Sequence, residues 1–181
     1  LTTEPYSDIS GATSPTYNTG TTTYAADNGD RFRCKLSAIG ADADAFTSAA
    51  LLTVYRTHNI TTQPNNATGN EGGTSSYTVA GNTSSGSHTY QWSKSDNGVD
   101  YNTIPGATSA TYTTPTLVFA DDNDDRFKCT LSLEGAENDL VSVFAVQTVL
   151  RVISISQQPQ PQTVIEGQTA TFSITAAITS G

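Results

Sequence analysis

Apolar residues along this chain recur at every second position in short runs, and turn-forming residues separate the runs. In Thr74–Gly81, Tyr77 and Val79 share one face; in His88–Ser95, Tyr90 and Trp92 do; in Asp124–Gly135, Phe127, Cys129 and Leu131 point inward. The pattern predicts strands there, at His58–Pro64 (an opening edge strand ended by Pro64), at Ser109–Pro115, and at Leu140–Val152 (a long closing strand). Asp96–Asp100 carries Asn97-Gly98 at its centre and reads as a hairpin turn. No segment has a convincing apolar period of 3.6. About seven short strands with turn signals between them describe an all-β sandwich.

The same pattern returns. GATSPTY at Gly11–Tyr17 matches GATSATY at Gly106–Tyr112, DRFRCKLS from Asp30 matches DRFKCTLS from Asp125, and EGGTSSYTV from Glu71 matches EGQTATFSI from Glu166. Every match is shifted by 95 residues. Residues 1–86 and 96–181 agree at 35 of 86 positions, about 41%, without a gap. That period exceeds the roughly 20–50 residues of solenoid repeats, so each repeat should own a core. The joints fall near Arg56–Ile60 and Arg151–Ile155, with no Gly/Ser linker. The expected organisation is the C-terminal part of one repeat in 1–56, a complete repeat in 57–152, and the N-terminal part of another in 153–181. Direct joints predict limited bending between repeats and an extended rod. A half sandwich exposes its core, so the native chain is expected to continue in both directions.

Composition narrows the function. The 181 residues include 17 Asp and Glu against 8 Lys and Arg, a net charge of −9. An acidic surface repels phosphate, which argues against a nucleic-acid partner. No apolar run approaches the roughly 18–20 residues of a membrane span. The two histidines, His58 and His88, sit in strand positions unrelated in sequence, and Ile153 replaces His58 one period on. No catalytic serine motif, metal-spaced histidine pair or phosphate loop occurs, so no enzyme is expected.

Some residues nevertheless have candidate chemistry. Asp27, Asp30, Asp122, Asp124 and Asp125 supply hard oxygens of the kind Ca²⁺ takes. The simpler reading makes them turn formers, with some charge pairing to Arg31 or Arg126. Asn59, Asn66 and Asn82 head N-x-S/T sequons, which arise readily by chance in a chain this rich in Asn, Ser and Thr. Tyr6 and Tyr101 follow the hairpin turn and offer rings to a sugar, or are sandwich-edge aromatics. Gly11–Thr13 and Gly106–Thr108 are a repeated surface patch or a structural turn.

Trp92 on the third strand, with Phe127-Lys128-Cys129 late in the repeat and Phe32-Arg33-Cys34 as its copy, resembles the immunoglobulin superfamily. The resemblance implies tandem immunoglobulin-like β-sandwich repeats whose core pin is Trp92, Cys129, Val79 and Phe127. Val79 stands where the family's first Cys belongs, and Ile174 one period on, so the intersheet disulfide is missing. Cys34 and Cys129 occupy equivalent points of different repeats and are expected as buried thiols, with an intermolecular disulfide or metal ligation as the alternative. Phe127 replaces the usual Tyr, which removes the hydroxyl of the tyrosine corner. The segments GATSATYTTPTLVFADDNDDRFKCTLS and QPQTVIEGQTATFSI are most similar to immunoglobulin-like repeats of bacterial and phage surface proteins. Such repeats occur in virion structural and fibre proteins of tailed phages, notably those of marine cyanobacteria, and in bacterial adhesins. The resemblance therefore implies a virion or extracellular setting. One role is that of a spacer or scaffold contacting neighbouring copies or other virion and surface proteins. The alternative is adhesion to a host glycan or protein through many weak sites.

Overall fold

The computed structural model describes residues 6–178; residues 1–5 and 179–181, at the outer ends of the two expected partial repeats, lie outside the described residues. The chain divides into two units, Leu1–Tyr55 and Arg56–Gly181. The first holds a single helical turn, α1 (Tyr24–Asp27), then β1 (Arg31–Phe32), β2 (Lys35–Leu36), β3 (Ala45–Phe46) and β4 (Ala50–Leu51). Its ladders are antiparallel, β1 with β4 and β2 with β3.

The second unit begins with β5 (His58–Thr62), β6 (Ala67–Asn70), β7 (Ser76–Thr78), β8 (Ala80–Thr83) and β9 (Thr89–Ser95). It continues through β10 (Asn102–Thr103), β11 (Thr111–Thr113), the helical turn α2 (Phe119–Asp122), β12 (Arg126–Ser132), β13 (Leu140–Val141) and β14 (Ala145–Leu150), and ends with β15 (Ile153–Gln157) and β16 (Thr175–Ile178). One sheet runs β10-β9-β12-β14-β6, with β14 and β6 parallel. Facing it, β5 pairs with β8 and β11 with β7. An opening segment that joins both sheets through β5 and β6, and the Trp92 strand β9 paired with β12, make this an immunoglobulin-like sandwich. Tyr77, Val79, Trp92, Phe127, Cys129, Leu131 and Ala145 fill the space between the sheets.

Two expected strands are interrupted, and the opening strand ends before Pro64 as its pattern predicts. After β5 the chain passes through buried Pro64, which has no N–H to continue a ladder, and crosses to the other sheet as β6. Side chains bridge the crossing: Gln63 Oε1 accepts the Val143 N–H at 2.9 Å, and Asn66 Oδ1 accepts that of Val146 at 2.8 Å. The strand through Val79 changes partner there, from β11 to β5. The closing strand breaks at Ser142, whose hydroxyl accepts the Cys129 N–H at 2.9 Å. The helical turns α1 and α2 are too short to leave an apolar period. Asp27 and Asp122 instead close them from within, accepting the N–H groups of Thr23 at 2.6 Å and Val118 at 2.8 Å.

Strand pairing keeps the 95-residue shift. Arg31↔Leu51 and Phe32↔Ala50 recur as Arg126↔Val146 and Phe127↔Ala145. Lys35↔Phe46 and Leu36↔Ala45 recur as Thr130↔Val141 and Leu131↔Leu140. The pair β5–β8, including its irregularity after Ile60, recurs in β15–β16 after Ile155. The Cys34 N–H is accepted by Thr47 Oγ1 as that of Cys129 is by Ser142 Oγ. Gly29 and Asp124 occupy one left-handed backbone position, at φ 97° and 70°; the strain of a side chain there is tolerated in Asp, whose short polar group suits that region.

Burial differs sharply between equivalent positions. Leu131, Tyr77 and Val79 are buried, whereas Leu36, Phe172 and Ile174 are more than half exposed.

Trp92 is fully buried and is the largest buried side chain. Trp92→Ala is expected to destabilise the second unit by about 3–5 kcal/mol. Because the chain has 1 Trp, unfolding should be followed by circular dichroism. A loss below about 1 kcal/mol would show that the core does not depend on it.

Candidate functional site

The acidic turn of the second unit converges on a cation supplied by the protein. Lys94, near the end of β9, places Nζ 3.0 Å from Asp122 Oδ1 and 2.5 Å from Asp125 Oδ2. The Asp125 side chain is 2% exposed and that of Lys94 34%. Burial pushes the Asp125 carboxyl above its ordinary range, against the opposing pull of Lys94. Burial also disfavours the Lys94 ammonium, but hydrogen bonds and charge from Asp125 and Asp122 outweigh it and hold the group above its usual value. Arg126, the partner suggested by the sequence, instead lies over the Phe144 ring at 4.7 Å.

Calcium fits this arrangement poorly. The two Asp122 oxygens are engaged by Lys94 and by the Val118 N–H, and Asp125 by Lys94. A divalent ion would have to displace an ammonium. In the first unit Asp27 Oδ2 takes the N–H and hydroxyl of Thr23, and Asp30 donates its own N–H to the Asp27 carbonyl. Asp124 accepts from the Asn123 amide at 3.0 Å. Among the described residues, no three His, Cys, Asp or Glu side chains gather in a metal-binding group.

The fold joins the two histidines, although their sequence positions seemed unrelated. His58 opens β5 and His88 precedes β9; His58 Nδ1 lies 3.2 Å from His88 Nε2, with the rings stacked at 5.4 Å. His58 Nε2 is 2.8 Å from the Asn138 carbonyl. A carbonyl only accepts, so His58 Nε2 carries a proton and, in the neutral ring, Nδ1 accepts from His88 Nε2–H. Burial, and then the neighbouring His58, lower the pKa of His88. Gly81 makes room: a Cβ there would come within 2.9 Å of His88 Cε1. The sequence signal was His58, which Ile153 replaces one period on, but only the fold brings it to His88.

The remaining candidates have structural explanations. Tyr101 carries Lys128 Nζ 3.8 Å above its ring, and Tyr6 carries the Arg33 guanidinium at 3.9 Å, so a cation covers a face of each. The Gly106–Thr108 turn ties into the core, since the Ala107 carbonyl accepts the Trp92 N–H at 3.0 Å. Asn59 and Asn82 are exposed partners across β5–β8. Cys129 is buried and Cys34 exposed, which corrects the expectation that both thiols are buried. Among the described residues of the first unit, no further strands cover Cys34 beyond the β1–β4 and β2–β3 ladders. Burial pushes the Cys129 thiol up to about 11.

A family model described as a domain of unknown function (DUF8696) matches residues 59–122, about a third of the chain. No curated protein matches. Among solved structures, the chain is similar to Sidekick-1 immunoglobulin domains 1–5 at 14% identity and a TM-score of 0.46, covering 87% of this chain and 34% of that one. It is also similar to the tandem Ig repeats of Dlar, at 18% identity and a TM-score of 0.39, covering 68% and 66%. Duf (Kirre) D1 aligns at 19% identity and a TM-score of 0.37, covering 52% and 97%.

Lys94→Met is expected to lower stability at pH 7 by about 1–3 kcal/mol, moderated by solvent at the lysine. Without the ammonium, Asp125 titrates even higher in the fold than in the unfolded chain. Its burial penalty is then present above that folded pKa and is relieved as pH falls through it. The deficit in urea midpoint should narrow between pH 7 and pH 4.5; an unchanged deficit would contradict the buried-charge account.

In the folded 181-residue chain a thiol reagent should label Cys34 quickly, and Cys129 only on unfolding. Equal native rates would contradict the burial difference.

Proposed function

We propose that the chain is a run of tandem immunoglobulin-like repeats, bounded at 1–56, 57–152 and 153–181, that acts as a non-enzymatic spacer or scaffold. Its setting is a phage virion, as a fibre or surface-decorating protein, or an extracellular filament, where it makes lateral contacts with neighbouring copies or other surface proteins. The observation that carries this reading is the shared 95-residue shift of sequence and strand register. A repeated frame whose recurring side chains serve packing, turns and caps adds reach with each copy. The cations over Tyr6 and Tyr101 weigh against sugar stacking as the repeated function.

Chains lengthened by one and two further periods test it. A strand of about 9 residues spans about 30 Å, so the longest dimension from small-angle scattering should grow by roughly that much per period. A glycan array should stay silent. A dimension that does not grow overturns the spacer reading, and specific glycan capture favours adhesion instead.

A further inference from the structure

We propose that His58 and His88 form a two-histidine site for a late first-row divalent cation such as Zn²⁺ or Ni²⁺. The two nitrogens, His58 Nδ1 and His88 Nε2, lie 3.2 Å apart. Tetrahedral zinc, at about 2.0–2.1 Å from each imidazole nitrogen, needs them roughly 3.3 Å apart. The spacing of the hydrogen-bonded pair is therefore nearly the bite of a chelate, and a small ring rotation converts one into the other.

The surrounding atoms favour the exchange. The Asn138 carbonyl holds the proton on His58 Nε2 at 2.8 Å, leaving Nδ1 as the lone-pair nitrogen. A backbone carbonyl on the far nitrogen is the outer support that metal-bound imidazoles commonly have. In the free pair the proton between the rings belongs to His88 Nε2. When a cation enters, His88 takes up the Nδ1–H tautomer and offers Nε2, with no net proton lost. Gly81 leaves space for that ring, since a Cβ there would approach His88 Cε1 within 2.9 Å.

The site is also reachable. Thr57, His58, Asn59, Asn82, Thr83 and Ser84 line an open cleft of about 400 Å³ beside it. Two histidines leave coordination positions for water or for an oxygen or nitrogen donor from another molecule. Ile153 stands one period beyond His58, so the pair is an addition to the shared frame rather than part of it.

The test titrates the whole chain with ZnCl₂ and, separately, NiCl₂ at pH 7.5, by calorimetry and by ¹H–¹⁵N correlation spectra of the imidazoles. One saturable ion per chain is expected, with ¹⁵N shifts at His58 Nδ1 and His88 Nε2. Binding should fall at least tenfold in His58→Ala and in His88→Ala, and stay unchanged in Asp122→Asn. The wild-type ¹⁵N shifts identify the ligands even if a variant folds poorly. No saturable binding up to millimolar ion, or saturable binding that leaves those two nitrogens unshifted, overturns the site.

Discussion

The contact on which the sandwich of the second unit depends is the packing of Trp92 between the sheets. Trp92 sits opposite Cys129 in the β9–β12 ladder, and both are fully buried with Val79. Immunoglobulin domains often pin their sheets together here with a disulfide; in this chain Val79 leaves Cys129 without a partner for one. Cohesion must come from buried apolar area and close aromatic packing. Tyr77 stacks on Phe127 at 4.6 Å and lies 6.3 Å from Trp92. The indole also organises its surroundings, donating Nε1–H to the Ser109 carbonyl at 2.9 Å while its backbone holds Ile104 and Ala107. Such a core does not depend on an oxidising compartment to form its pin.

Polar groups inside this core are paired across the sandwich. The Tyr77 hydroxyl donates to Gln147 Oε1 at 2.6 Å, and the Gln147 amide reaches the Thr148 carbonyl at 2.8 Å. One period away, Leu52 stands at the position of Gln147 and Phe172 at that of Tyr77. Hydroxyl and amide thus occur together in the middle period, where each satisfies a group that would be costly to bury alone. Lys94 does the same for the acidic turn. Repetition maintains the frame, while local pairs such as Tyr77–Gln147 and His58–His88 distinguish one period.

Much of the architecture was legible in the sequence. The strands around Trp92 and Phe127 followed from alternation, because a half-buried strand repeats every second residue. The 95-residue shift followed from identity alone. The end of the opening strand at Pro64 was legible too, but the break at Ser142 was not, because it depends on a side chain replacing a ladder bond. The partner of the acidic turn was missed for a similar reason: Arg126 is adjacent in sequence, but adjacent strand residues point to opposite faces, and Lys94 reaches Asp125 from the neighbouring strand.

The sequence by itself determined the all-β pattern, the period, the absence of a first cysteine and the acidic charge, because each is a property of residue order or composition. Tertiary structure decided which residues meet. It buried Cys129 and exposed Cys34 despite their equivalent motifs, because burial requires an opposing sheet. It gave the aspartates Lys94 as a cation, and it brought His58 to His88 across 30 residues. Those meetings depend on strand register and sheet order, long-range relations that no local run of residues encodes.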